Sequence, residues 1–320
     1  MAVVTNTYTT YDTKGIRESL SDVIYNISPE TTPFVQTAKR GKADAVFYEW
    51  QVDSLADADT TNAKVEGNEA AYVAATATTR VGNYVQISDK TAIISGTNDV
   101  VKKAGRKSEM AYQLAKRGAE LKRDIEAIAV SNQACVSGGT ATARKTGTMG
   151  AYLATNVSKA SDGTNPTGTT TPNDARGDGT TRQWSETILK EVILAAYNSG
   201  GEPRVLMLPP ALKQLTSTFA GIAGTRFNVN GAKAATIIGA ADIYVSDFGN
   251  ISVVPNRFMR ASDAFVLDPD YIEIVYLRPF TTESLAKTGD AEKRLILAEW
   301  GLKVPTEKAH GLAADLKATA

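Results

Sequence analysis

The sequence predicts an α+β chain, and three observations carry that prediction. Two runs of alternating β-type residues flank a polar stretch at 53–70, an amphipathic helical segment covers 98–134, and further strand-like runs gather in the C-terminal half. The chain has 320 residues, 42% of them apolar, enough for one large or two modest cores. Lys and Arg number 35 against 35 Asp and Glu, so no global field draws it to nucleic acid or an anionic membrane.

Taken in order, the first forty residues are polar and threonine-rich. Within them Ile16, Leu20, Val23, Ile24 and Ile27 recur at helical spacing, and Pro29 and Pro33 stop the pattern. This reads as an extended arm carrying one amphipathic helix. Next, "AVFYEWQVDSL" and "TATTRVGNYVQISDKTAIIS" alternate as strands and predict a hairpin. The loop between them far exceeds the usual hairpin length and has almost nothing to bury, so its tip is expected to reach another surface.

The segment 98–134 places Met110, Leu114, Leu121, Ile125 and Ile128 down one side. It predicts a helix of about 50 Å, capped by Thr97 or Asn98 and ended by Gly138–Gly139, with Gly105 and Gly118 marking a bend or close contact. Residues 138–183 are rich in Gly, Thr, Ser, Asn and Pro and read as a surface insertion with mobile parts. A helix opened by Ser185, a buried strand "RVLMLPP" and a helix opened by Pro210 follow. Then come a flexible loop, two strands around a Gly249–Asn250 turn, a third strand "AFVLDP", and two β runs, "YIEIVYLRPF" and "KRLILAEWGLKV".

Several features imitate chemistry. "GTATARKT" from Gly139 resembles a phosphate-binding loop, but Arg144 stands where a second glycine is needed and the stretch follows a helix. "DARGDG" at Asp174 resembles a calcium loop, but Arg176 occupies an oxygen position and Ser185 falls where a Glu should be, so it reads as chance composition. Asp57 and Asp59 lack an apolar shell to perturb them. One cysteine, Cys135, excludes an internal disulfide and reads as a small hydrophobic filler; one histidine, His310, reads as a surface or satisfied residue. No catalytic constellation, cofactor site or metal site is expected. The basic cluster Lys102, Lys103, Arg106 and Lys107 reads as a solvated helix face, with contact to phosphate or to a neighbour's acidic loop as the alternative. No run approaches the ~18 apolar residues of a membrane span.

Four blocks in this order carry a family likeness. The arm, the hairpin from "FYEWQVDSL" to "GNYVQI", "SGTNDVVKKAGRKSEMAYQLAKRGAELKRDIE" and "IYVSDFGNISVVPNRFMRASDAFVLDPDYIEIVYLRPF" resemble the major capsid proteins of tailed bacteriophages. The resemblance implies a Hong Kong 97-type fold. Residues 1–44 would be the N-terminal arm, 45–95 the extended E-loop hairpin, 96–137 with 271–320 the peripheral domain carrying a long spine helix, and 138–270 the axial domain including the insertion 138–183. It implies inter-subunit contacts at Tyr48, Trp50, Lys64, Glu66, Glu69 and Tyr84 of the E-loop and at Arg226, Phe227 and Asn228 of the axial loop.

The implied function is an icosahedral shell around double-stranded DNA, built from hexamers and pentamers in the host bacterial cytoplasm and carried in the virion. DNA would be held without sequence preference, and no membrane is involved. The N-terminus is too short for a built-in scaffolding segment, so a separate scaffolding protein is expected, with a portal and a decoration protein as further partners. Some relatives crosslink subunits through a Lys–Asn bond; Lys64 is suitably placed, but the required carboxylate is not identifiable and no crosslink is expected. The alternatives are a cellular nanocompartment shell of the same fold and, in another class, a nucleotide-dependent enzyme using the loop at Gly139.

Overall fold

The computed structural model describes residues 31–70, 72–102, 108–167, 170–219 and 242–318. The helical patch at 16–27, Lys103, Gly105, Arg106, Lys107, and the loop residues Arg226, Phe227 and Asn228 lie outside them. In chain order the strands are β1 (Lys39–Lys42), β2 (Phe47–Val52), β3 (Thr79–Tyr84), β4 (Gln86–Ser95), β5 (Val157–Ser158), β6 (Arg182–Gln183), β7 (Val205–Leu208), β8 (Ile243–Ser246), β9 (Gly249–Pro255), β10 (Ala264–Leu267), β11 (Glu273–Ser284), β12 (Ala291–Lys303), β13 (Gly311–Ala313) and β14 (Leu316–Lys317). The helices are α1 (Pro33–Thr37), α2 (Gly96–Val100), α3 (Glu109–Ala129), α4 (Met149–Tyr152), α5 (Glu186–Asn198) and α6 (Pro210–Thr216).

Two larger sheets organise most of these elements, beside the two-stranded pairs β2-β3 and β14-β6. The first runs β1-β11-β12-β4, with α3 packed on it, and the second runs β5-β13-β10-β7-β9-β8. Strands β7 and β10 sit at the centre of the second sheet, and all four residues of β10 are buried, as a strand covered on both faces requires. One face meets α5 and α6 through Leu189, Ile193, Leu206, Leu212 and Val266. The other shares a core with α3 and the first sheet, where Leu121, Ile125, Phe265, Ile274 and Trp300 meet.

The long helix is shorter than its pattern suggests. Ser108 is extended (φ −127, ψ 127) and its side chain accepts the Ala111 N–H, so α3 begins at Glu109 and its 21 residues span about 31 Å. Thr97 and Asn98 belong instead to α2, which Ser95 caps. The stripe is otherwise as expected: Met110, Leu121 and Ile125 are buried, and Leu114 and Ile128 pack against the core. Gly118 marks no close contact, since a Cβ there would meet open space. The β8–β9 turn also lies earlier than predicted, at Asp247–Phe248, with Ser246 paired to Gly249 and Gly249 at φ 136.

Residues 138–183 are not a loose surface insertion. Thr146, Thr148, Met149, Ala151, Tyr152 and Leu153 are all buried, the hydroxyls spent on backbone and side-chain partners. Polar composition misleads here because a buried polar group costs little once it is hydrogen-bonded. Arg176, in the stretch that imitates a calcium loop, is 3% exposed. Its guanidinium donates to Asp315 from Nη1 and to Asp263 and Asp178 from Nη2, each at 2.9 Å. Its backbone is held from the other side, with Asn132 Nδ2 donating to Arg176 O at 2.7 Å and Arg176 N donating to Asn132 Oδ1 at 3.0 Å. Asp315 accepts the Gly179 and Ala160 N–H groups as well, from a left-handed backbone (φ 58). Burial alone would raise the Asp315 pKa, but those N–H groups and Arg176 bring it below its usual value; for Asp263 burial prevails and raises it.

The single histidine is part of the core. His310 Nδ1 accepts the Asp268 N–H at 3.1 Å, which fixes the neutral tautomer and leaves Nε2–H to donate to Tyr271 O at 3.1 Å. Burial pushes its pKa down from 6.5 to about 4. Protonation would set a second N–H against the Asp268 N–H. Between those pKa values the unfolded chain binds a proton that the folded chain refuses, so stability falls as pH falls through that window. About 1.5 kcal/mol should be lost between pH 6.5 and 5, read from urea midpoints of the unassembled subunit, and His310→Asn should flatten that slope.

Candidate assembly interface

The expected hairpin is present. β2 and β3 pair antiparallel from Phe47↔Tyr84 to Val52↔Thr79. Its second limb parts from the predicted run at Val85, after which β4 leaves to pair with β12 from Gln86↔Trp300 to Ser95↔Ala291. The ribbon is therefore rooted directly in the first sheet.

That root is a cluster of directed bonds around one carbonyl. Leu302 O accepts from Tyr48 Oη and Asn83 Nδ2, both at 2.7 Å, and from Tyr152 Oη at 3.3 Å. Asn83 also donates to Gly147 O at 3.0 Å and accepts the Gly147 N–H at 2.8 Å, which binds β3 to the end of β12 and to residues 146–147. The Tyr48 ring lies so close to β12 that a Cβ at Gly301 would fall 2.5 Å from Tyr48 Oη. Burial raises the pKa of both phenols well above 10, so they remain protonated donors. Trp50 Nε1 donates to Pro305 O at 3.1 Å, and the Phe47 and Tyr84 rings meet tilted at 42° with their centroids 4.6 Å apart. Asn83→Ala would leave the Gly147 N–H without its acceptor in a buried site, while Leu302 O keeps its two phenol donors, an expected loss of about 2–3 kcal/mol by chemical denaturation.

Beyond the root the chain is open. From Asp53 to Thr78 every described residue is exposed, including Leu55 at 97%, Val65 at 82%, Tyr72 at 98% and Val73 at 91%. Its hydrogen bonds are local, as between Thr61 and Asp59 or Asn68 and Val65; Thr78 and Gln51 close its base. Four large apolar side chains held in water on one loop are a surface that gains free energy when covered, at about 25 cal/mol per Å².

The predicted contact residues therefore separate into two groups. Tyr48 and Trp50, expected to meet a neighbouring subunit, spend their polar atoms within the chain, because the ribbon needs an internal anchor before it can project. Tyr84 is half-buried against Phe47, while Lys64, Glu66 and Glu69 stand exposed on the loop. Lys102 is exposed, and the rest of its basic cluster lies outside the described residues. Asn83 is not among the expected contact residues, although a polar residue in phase with Val81 and Val85 on an inward strand face is a signal for a buried hydrogen-bonding hub.

The imitations of chemistry resolve as structure. The loop from Gly139 closes on itself, with Val136 bridged to Lys145 and the Gly139 N–H on Thr142 O, so its amides do not converge on a ligand. Arg144, the residue that spoils the phosphate motif, pairs with the buried Glu299, which also accepts from Arg278 at 2.8 Å. Cys135 is buried as expected. Among the described residues there is no group of three or more His, Cys, Asp or Glu side chains that could hold a metal, and no helix long and apolar enough to cross a membrane.

A sequence model of the SU10 major capsid protein matches residues 3–317, nearly the whole chain. The chain belongs to the SU10 major capsid protein family. A curated relative, the major capsid protein of Escherichia phage Phieco32, is 30% identical over 344 aligned positions covering 95% of this chain and 96% of the relative. The chain is thus a phage major capsid protein, a structural component of the virion. Solved structures show the same fold at low identity. The cyanophage A-1(L) capsid asymmetric unit aligns with a TM-score of 0.67 at 12% identity, covering 96% of this chain and 98% of that one. The Gordonia phage Cozz structure gives 0.59 at 13% over 99% of each chain. The holo-SrpI encapsulin complex from Synechococcus elongatus gives 0.55 at 10%, over 95% and 94%. The Hong Kong 97-type architecture expected from the sequence is the one observed, and the encapsulin is a relative in fold.

Proposed function

We propose that copies of this capsid protein close an icosahedral shell of hexamers and pentamers around double-stranded DNA, each laying its 53–78 loop on an adjacent copy as the E-loop. In this reading α3 with the first sheet is the peripheral domain, the second sheet with α5 and α6 is the axial domain, and Arg226, Phe227 and Asn228 face the capsomer axis. The observation that carries it is the contrast within one hairpin: a root fixed by Tyr48, Asn83 and Trp50, and a loop with four exposed apolar residues and no core of its own. Lys64, Glu66 and Glu69 add charge-assisted contacts at the far end. Each is weak alone, but a shell repeats heterologous interfaces of about 1,600 Å² many times.

Assembly takes place in the host bacterial cytoplasm with a separate scaffolding protein and a portal, and the outer surface is open to a decoration protein. The balanced charge of the chain makes DNA contact weak and blind to sequence. Electron microscopy of particles purified after co-expression with a scaffold should show closed shells of uniform diameter, and virions should hold nuclease-protected DNA inside them. Particles filled with an enzyme cargo would support the nanocompartment reading instead, and a chain that stays monomeric with or without scaffold would overturn both.

A further inference from the structure

Glu126 is fully buried on the inner side of α3, and both of its carboxylate oxygens accept hydrogen bonds from two other parts of the chain. Oε1 accepts the Phe34 N–H at 2.8 Å and Asn256 Nδ2–H at 2.6 Å, while Oε2 accepts the Val35 N–H at 2.8 Å. Phe34 and Val35 open α1, where backbone N–H groups have no partner within the helix, and the Phe34 ring fills the shared core. The next residues form β1, the edge strand running parallel to β11 from Lys39↔Glu273 to Lys42↔Tyr276. Asn256 follows directly on β9, with its N–H on Leu208 O at 2.9 Å and its Oδ1 accepting the Phe258 N–H at 2.9 Å. One carboxylate thus ties the entry of the chain into the first sheet, the long helix and the end of β9 in the second sheet.

We propose that Glu126 is a positioning residue for assembly, setting the mutual placement of α1, α3 and the second sheet at the geometry from which copies close a shell. A heterologous interface closes only when the rotation from copy to copy is right, and otherwise propagates into open forms. A small angular error at a junction between the two sheets is repeated at every copy, so loosening the junction disturbs closure before it unfolds the subunit. The inference rests on the capsid role and not on the loop contacts.

Glu126→Gln keeps the size of the side chain but turns one acceptor into a donor, which sets an N–H against an N–H. The expected result is a folded subunit whose Phe34 and Val35 amides exchange hydrogen at least about tenfold faster, and whose yield of uniform closed particles falls by a similar factor in favour of open or mixed forms. Ile193→Val, buried in the separate core beneath α5, serves as a control for stability. Matched to Glu126→Gln in denaturation midpoint by adjusting temperature, it should keep both the slow amides and the particles. Normal particles from Glu126→Gln, unchanged amide exchange, or equal particle loss in the control would overturn the proposal. Should Glu126→Gln fail to fold, Asn256→Ala removes the Glu126 link to the second sheet, together with the acceptor of the Phe258 N–H, and leaves the Phe34 and Val35 amides on Glu126; it should still give mixed particles, and uniform particles from it would count against the assignment.

Discussion

Arg176→Met should cost the subunit about 3–5 kcal/mol, enough to leave a typical domain partly unfolded. The guanidinium stands between Asp263 and Asp315, both about 1% exposed as side chains, and its removal deprives two buried carboxylates of their shared ion-pair partner, although Arg260 still reaches Asp263 at 3.2 Å. The loss falls on three segments together, since Arg176 connects the polar stretch, the turn before β10 and the approach to β14. Asp178→Asn provides the internal contrast. Asp178 touches the same guanidinium but is 54% exposed, so its replacement should cost under about 1 kcal/mol. Urea titrations of both variants test this directly, and equal losses would mean that burial does not govern the cluster.

Deleting residues 55–68 should give the opposite outcome: a subunit as stable as the parent that no longer builds shells. These residues make only local hydrogen bonds and bury nothing, and a shorter loop costs slightly less closure entropy. The root at Tyr48, Asn83 and Trp50 lies outside the deletion and should hold the shortened ribbon in place. A denaturation midpoint unchanged within about 1 kcal/mol, together with loss of closed particles, is the expected pair of results. Normal particles from the deleted chain would contradict the role given to the loop.

The parts of the fold legible in the sequence were those governed by periodicity. Alternation marked Phe47–Val52 and Thr79–Tyr84, and the apolar stripe from Met110 to Ile128 marked the face of α3 that meets the core. The extent of α3 was misread because Ser108 lies inside a run of good helix formers, where its capping power is invisible to a pattern of apolar spacing. Residues 138–183 were misread for a related reason. Arg176, Thr146 and Thr148 are buried through hydrogen bonds with Asp263, Asp315, Leu302 and Ser131, partners that no local pattern can pair with them. Of the candidate interface, the exposed loop was legible because nothing in it can be buried. Its root was only partly so: Tyr48 and Trp50 announced aromatic anchoring, but their partners lie at Leu302 and Pro305, at the opposite end of the sequence.

Hydrogen exchange of the loop amides, followed in the dilute subunit and in assembled particles of the same chain, tests the account most directly. Residues 55–78 should exchange at nearly the intrinsic rate in the subunit and become protected by at least about a hundredfold in the particle, with Tyr48 and Asn83 protected in both. A loop already slow in the isolated subunit, or one still fast after shells have closed, would show that it serves no neighbouring copy.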